Sequence, residues 1–464
     1  MWRKKNILIL FLILVLGVIL LKIGIKNIYE KKNIFFILID TLRSDHLGCY
    51  GYKRNTSPNI DNIANRGIIF TNFYSVAPWT NPTIISLFSG YYPQKLLPPL
   101  PHSKAIRQVL PEEIETLAEI FNQNGYYTLA LIDNPAINKQ LNYNQGFKEF
   151  VEISGEKGYR KFFSDNYFVG TSPRRIFKEL SIRLEKNKKN RFFVYLHLIY
   201  PHQPYVPPPP FREMFGPGPE RISVEEKEKV INAYDGEIRY TDKLIGEIFN
   251  YLKSQKLLNN TYIIITADHG EGFWEHGLWE HGNSLFNELL KVPLIIYPPK
   301  GRKKAQKIDE LASFIDLFPT IIDLAKIKIS KNVDGESLTR YWKNQGRKTK
   351  IIFSESPHSL SIYGLSCQTE KYKLIYSPRE PISNYNSALK DISLGKFTQL
   401  YDIESDPQER NNLANIKKDI LIFLGNALIS HKITNDRKRR SIKQKKRDLD
   451  EDTIKRLKSL GYLN

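Results

Sequence analysis

Cysteine is almost missing from this chain: 464 residues contain two, Cys49 and Cys367. They lack any metal-type spacing, so a cysteine-built metal site is excluded; they can pair or stay free, and they define no redox compartment. No internal repeat is present. Acidic residues are in short supply, with 49 Asp and Glu against 69 Lys and Arg and a formal charge of +20. That excess gathers near the N-terminus, at 183–191 and in the tail from Arg437. It forms no single stripe interleaved with aromatics, which argues against nucleic acid as a partner. A basic surface close to anionic lipid is the simpler account. What the chain does have is apolar material, 41% hydrophobic and 12% aromatic, enough to fill a sizeable core in one large or two ordinary domains.

The beginning of the chain speaks to location. A basic stretch at 1–5, Trp2-Arg3-Lys4-Lys5, precedes an apolar run from Ile7 to Leu21, and Lys22 and Lys26 follow. The run is long enough to span a bilayer when flanking lysines snorkel. No small-residue cleavage site follows it, so 6–26 is expected to be an uncleaved transmembrane signal anchor. The economical topology is single-pass, with the short N-terminus inside and the large domain extracytoplasmic, although basic residues on both sides blunt the charge argument.

Asn33–Ile39, Tyr126–Ile132, Arg191–Leu198 and Tyr262–Thr266 are continuous apolar, β-branched runs of the kind found in central parallel strands. Helical patterns at 59–66, 112–124, 171–188, 223–257 and 316–324 alternate with them, and Pro82–Phe88 reads as a helix start. This predicts an α/β fold, a doubly wound, mostly parallel sheet, over 33–345. Short strand candidates at Lys350–Ser354, Tyr372–Tyr376 and Gln399–Asp402 predict a small antiparallel C-terminal subdomain over 346–415. A basic helical tail over 416–464 is expected to be solvated along Lys432–Arg447 and to close with a helix over Asp450–Leu460. The proline-rich 205–219 reads as a rim loop or lid, which with 137–170 shapes the pocket.

Chemistry-bearing residues stand where the strands end. Asp268 and His269 follow Tyr262–Thr266, and Gly270 lets the backbone turn. Ligand and metal sites of open α/β sheets gather at such strand ends. A carboxylate beside an imidazole suits zinc, manganese or a similar divalent ion. Asp40 ends another buried strand and would lie near Asp268 if the strands are neighbours; a turn aspartate is the other reading. Thr80, at the start of a helix, is an N-cap, a nucleophile placed among free N–H groups, or both. His202, His276 and His281 lie in polar loops where a histidine binds substrate oxygen or protonates a leaving group, or is merely structural.

Together these segments resemble the sulfatase family of the alkaline-phosphatase superfamily. The resemblance rests on Asn33–Gly48, with Asp40 in the position of the first metal ligand; on Ala77-Pro78-Trp79-Thr80-Asn81-Pro82-Thr83 and Ser86–Pro93, the nucleophile block; and on Pro201-His202-Gln203-Pro204-Tyr205. Thr266–Glu271, His281-Gly282-Asn283, Lys291-Val292-Pro293-Leu294, Asp316–Thr320, Asp334–Leu338 and segments from Leu400 to Leu413 continue it. The departures bear on the chemistry. Sulfatases carry a Cys or Ser that matures to formylglycine; Thr80 stands there, and its β-carbon already bears a methyl group. Ile84 holds the arginine position, and Thr41 that of a second aspartate. These changes resemble the phosphoethanolamine and phosphoglycerol transferases of the superfamily. That likeness implies Asp40, Thr80, Asp268 and His269 as ligands of one divalent metal ion (Zn, Mn, Ca or Mg), His202 and His281 as substrate histidines, and no formylglycine.

The expectation is therefore an enzyme that hydrolyses or transfers a sulfate or phosphate ester on a glycan or lipid through a metal-activated Thr80; the site chemistry leans to phosphorus, the family resemblance to sulfur. A strict sulfuric ester hydrolase without formylglycine and a non-catalytic binding protein of the cell envelope are the rival readings.

Overall fold

The computed structural model describes residues 31–97, 109–153, 173–342, 350–356, 363–439, 441–442 and 449–459. The expected signal anchor, the end of the pocket region at 154–170 and the tail residues 443–448 lie outside them. Among the described residues, no helix is long and apolar enough to cross a membrane.

Eight strands form the large sheet: β1 (Asn33–Ile39), β2 (Ile68–Phe70), β3 (Tyr127–Ile132), β4 (Glu149–Glu152), β5 (Phe192–Leu198), β6 (Thr261–Thr266), β7 (Leu294–Tyr297) and β8 (Gln306–Ile308). Their order is β8-β2-β7-β6-β1-β5-β3-β4. β1 is parallel to both β5 and β6, and every residue of β1 and β5 is buried. A strand covered on both faces must be apolar throughout, which is why these two read as continuous runs. β7 alone runs against its neighbours, pairing antiparallel with β6 and β2.

Helices cover the sheet in two groups: α1 (Pro58–Ala64), α4 (Pro173–Asn187) and α5 (Lys227–Ser254) pack together, as do α2 (Thr80–Ser89), α3 (Leu117–Gln123) and α6 (Leu317–Leu324). α3 begins five residues later than its amphipathic pattern predicts. Thr116 and Glu119 form a reciprocal capping box there, so 112–116 stays outside the helix. The N-terminus of α1 is held from a distance: Asp242 of α5 accepts the N–H groups of Asn59 and Ile60, at 2.9 and 2.8 Å from Oδ1.

The C-terminal part carries a four-stranded antiparallel sheet, β9 (Ile352–Ser356), β10 (Gly364–Gln368), β11 (Tyr372–Tyr376) and β12 (Thr398–Asp402). Helices α7 (Tyr385–Ser393) and α8 (Lys418–Arg439) pack on it, and α9 (Glu451–Ser459) lies near the end. The expectation of a solvated run from Lys432 needs correction. Through Arg439 this run is the last part of α8, with Lys432, Asn435 and Asp436 buried. Lys432 pairs with Asp436, and Asn435 and His431 bind Glu355. Cys49 and Cys367 are both free, so the two do not pair.

Candidate active site

Three neighbouring strands deliver the central residues. Asp40 leaves the end of β1, Asp268 and His269 leave the end of β6, and His197 is the penultimate residue of β5. Because β1 lies between β5 and β6 with all three parallel, the side chains emerge at one end of the sheet. One oxygen each of Asp40 and Asp268 and one ring nitrogen of His197 lie within 4.8 Å of one another. His269 Nε2 is 3.4 Å from both Asp40 Oδ1 and Asp268 Oδ2. Thr80 Oγ1 is 3.3 Å from the same nitrogen. Asp40, Thr80, Asp268 and His269 therefore lie together, all buried.

Thr80 opens α2, a ten-residue helix that is buried throughout. Trp79, not Thr80, occupies the N-cap position and provides no side-chain cap. The Thr80 hydroxyl thus sits in the first turn, where backbone N–H groups lack helical partners. The helix stops at Gly90, whose φ of 76° is left-handed. Gly270 is needed for a different reason from the sharp turn expected of it. It is not among the glycines with positive φ; a Cβ there would lie 2.0 Å from the Glu288 carbonyl oxygen.

The hydrogen bonds around these groups set their chemical state. His269 Nδ1 faces the Gly270 carbonyl at 2.9 Å, which makes it the protonated nitrogen and turns the Nε2 lone pair toward the two carboxylates. Burial and the neighbouring His281 hold its pKa well below the ordinary histidine value, so the ring is neutral. Burial raises Asp268 to about 6, against hydrogen bonds from Thr80 and from the His269 and Thr41 N–H groups. Asn134 donates to Asp40 Oδ2, and Ser75 Oγ donates to the Asp268 carbonyl. Thr41, beside Asp40, is β-branched yet has a φ of 55°. The Tyr234 hydroxyl donates to its carbonyl at 2.7 Å and accepts the Arg43 N–H at 2.9 Å, pinning both ends of that turn.

A second tier of histidines faces the cage. The His281 ring lies 4.5 Å from that of His269 and 4.9 Å from that of His202. His281 Nδ1 meets Glu271 Oε1 at 3.0 Å, and Tyr205 donates to Glu271 Oε2 at 2.8 Å. Burial alone would lower the His281 pKa, but Glu271, with Glu280 and Asp268, outweighs it and the net shift is upward. His202 is pushed down to about 3 by burial and by His281, so the pair carries one neutral and one readily protonated ring. His276 is not part of this group. It binds Glu288 at 2.7 Å, meets the Glu409 carbonyl at 3.2 Å and stacks on Phe286.

Two residues of the site escape the motif reading. His197 is a polar residue within an otherwise apolar central strand, and that interruption was its signal. Its Nδ1 contacts the Tyr195 hydroxyl at 3.0 Å, while Nε2 is buried with no hydrogen-bond partner among the described residues. Asn134 follows β3 with no distinctive pattern around it.

Residues 32–327 match the Sulfatase family, and residues 274–426 match the C-terminal region of N-sulphoglucosamine sulphohydrolase. The delta 4,5-hexuronate-2-O-sulfatase of Bacteroides thetaiotaomicron is 25% identical, with 84% of this chain and 86% of that protein covered. Human iduronate 2-sulfatase is 23% identical over 83% of this chain and 92% of its own length. Among solved structures, a 2-O GAG sulfatase superposes with a TM-score of 0.68 at 23% identity, covering 91% of this chain and 96% of the other. The phosphonate monoester hydrolase of Agrobacterium radiobacter gives 0.66 at 18% identity, covering 87% and 96%. At such identities the structural likeness speaks for the fold alone; the match of the family itself, across most of the described sheet and every residue of the cage, carries the assignment. The chain belongs to the sulfatase family of hydrolases.

Proposed function

We propose that this chain is an extracytoplasmic hydrolase of sulfate esters on an anionic glycan, tethered to the membrane by its N-terminal apolar run, with Thr80 as nucleophile. The contact of Thr80 Oγ1 with His269 Nε2 at 3.3 Å, inside a buried pair of carboxylates, carries this reading. The residues present fit a divalent cation. Two carboxylates buried against one neutral imidazole nitrogen leave negative charge that needs compensation, and the donors are oxygen and nitrogen atoms of the type such ions take. Asp40, Thr80, Asp268 and His269 would hold the ion, with the buried His197 Nε2 at hand. When bound, the ion supplies Lewis acidity that favours the ionised form of the Thr80 hydroxyl.

The side chains perform the remaining tasks. Thr80 Oγ1 attacks sulfur in line with the leaving oxygen, so a new O–S bond forms as the ester O–S bond breaks. His281, oriented by Glu271, gives its proton to the departing alcohol. Water then attacks the same sulfur, its proton returns to His281, and the Thr80 oxygen leaves in the ionised form in which it attacked. The first turn of α2 directs N–H groups toward the anionic oxygens. The relatives support the substrate class, since their names include sulfatases of hexuronate, iduronate and N-acetylglucosamine groups.

A second reading, attack on a phosphorus ester with hydrolysis or transfer to an alcohol, is favoured by Thr80 itself. Threonine cannot form the formylglycine aldehyde, whereas its hydroxyl oxygen can carry a phosphoryl group and pass it to a second oxygen nucleophile. Two solved structures of like fold are phosphonate monoester hydrolases. The test is a paired assay of the metal-loaded protein on one aryl sulfate and the matching phosphate monoester and diester. Thr80→Ala is expected to lower turnover by about 10³ or more with its circular dichroism unchanged. Substantial residual turnover would sink the assignment of Thr80, and the preferred ester separates the two readings.

A further inference from the structure

A cavity of about 520 Å³ opens at the same end of the sheet as the cage but is lined by other residues. Its walls come from the turn after β1, the residues after β2, the segment before β7 and the loop after β12. Arg43 is the shared partition: its guanidinium lines the cavity and donates to the Glu271 carbonyl at 3.0 Å. Volumes of this order hold small molecules such as a substituted sugar.

The charges around this cavity are unevenly matched. The carboxylates lining it are Asp45, Glu275 and Glu288. Asp45 and Glu275 are both engaged by Arg43, at 2.8 and 2.6 Å, and Glu288 by His276 at 2.7 Å. Three further cations, Lys291, Lys307 and Arg410, face the same space, and among the described residues none of them forms an ion pair. Lys291 shows what this costs. Its Nζ donates to the Asn72 side-chain carbonyl at 3.2 Å, and burial pushes its pKa down although Asp45 lies near enough to oppose the shift. The two remaining titratable groups, Cys49 and Tyr50, are both held protonated by burial and supply no counter-charge. A half-buried ammonium that shares a cavity with two cations lacking a carboxylate partner among the described residues is stabilised by an anion placed in that cavity.

We propose that this cavity is a second oxyanion site, taking a sulfate or phosphate group on Lys291, Lys307 and Arg410. The group is either a free ion or a second substituent of the same polyanionic substrate; only the latter source rests on the function proposed above.

Binding of inorganic sulfate, measured by titration calorimetry on the full chain carrying Asp268→Asn, tests the site with the cage disabled. Sulfate is expected to bind, and the added pair Lys307→Gln and Arg410→Gln to weaken it by about tenfold or more. Both side chains are exposed, so this pair leaves the fold intact; Lys291→Gln is the independent check at the half-buried position. Absence of binding in the Asp268→Asn protein, or binding indifferent to the cavity substitutions, overturns the proposal. The source follows from turnover of a monosulfated and a disulfated saccharide by protein with an intact cage. A cavity variant that loses its preference for the disulfated form places the group on the substrate; one that keeps its preference while losing sulfate affinity assigns a free ion. Failure of both saccharides as substrates would count against the proposed function and leave the sulfate titration standing.

Discussion

Tyr234→Phe removes one oxygen atom from α5 and creates no cavity, yet it should be felt in the cage. The hydroxyl is buried, donates to the Thr41 carbonyl at 2.7 Å and accepts the Arg43 N–H at 2.9 Å. Its loss leaves a backbone donor and a backbone acceptor without that partner in the interior. Each such orphan costs about 1–3 kcal/mol, so a loss of about 2–6 kcal/mol of folding stability is expected. The effect does not end there. Thr41 is held at a φ of 55°, a conformation a β-branched residue rarely adopts, and its N–H donates to Asp268 Oδ1 at 3.3 Å. Without the clamp this turn relaxes toward ordinary backbone geometry, and Asp40 and Asp268 drift apart. Urea denaturation reads the first effect, and titration of the metal-stripped protein with zinc or manganese reads the second. A stability loss below about 0.5 kcal/mol with unaltered metal affinity would refute the clamp, because a hydroxyl so placed cannot be removed without consequence unless it bears no load.

Chelation should lower the melting temperature of the wild-type protein and leave Asp268→Asn unmoved; at a free ion concentration of 100 times Kd the lost stabilisation is about 2.7 kcal/mol, and equal shifts in both proteins would remove the cage as the binding site. Lys373→Met strands the buried Glu409 carboxylate, now 2.7 Å from the lysine, and should destabilise by about 3 kcal/mol or more in denaturant, with Glu409→Gln restoring much of the loss in the double variant. Asp242 is raised by burial to about 6, above its unfolded value, so its contribution to stability is complete in acid and lost as pH climbs through 6. The stability gap between wild type and Asp242→Asn should accordingly be wider at pH 5 than at pH 7.5; a gap that widens with pH would contradict this sign.

The large sheet was legible because its central strands are buried on both faces and leave uninterrupted apolar runs. Asp40, Asp268 and His269 were legible for the same reason, as polar residues at the edges of those runs. His197 was harder to see because it lies inside such a run, between Leu196 and Leu198, where a single imidazole reads as a minor irregularity. Strand β10, Gly364–Gln368, has neither alternation nor a long apolar run; the pairing of its neighbours on both sides makes it a strand. The charge density of the tail concealed that α8 turns Leu421, Leu424 and Leu428 inward, and that its lysine and aspartate at 432 and 436 neutralise each other in the interior. Long-range pairing of this kind, like that of His431 and Asn435 with Glu355, leaves no trace in local composition.

The antiparallel strand β7 has a consequence for how this protein can be altered. Thr266 at the end of β6 and Leu294 at the start of β7 are register partners, so the excursion 267–293 departs from and returns to adjacent points on the sheet. Asp268, His269, Glu271 and His281 all ride on that excursion, while Asp40 and Thr80 remain on the frame. Both ends of the excursion are thereby fixed by the same rung of the ladder, whatever lies between them. A change within the excursion therefore reaches the cage through Asp268 and His269, whereas Asp40 and Thr80 are placed by β1 and α2.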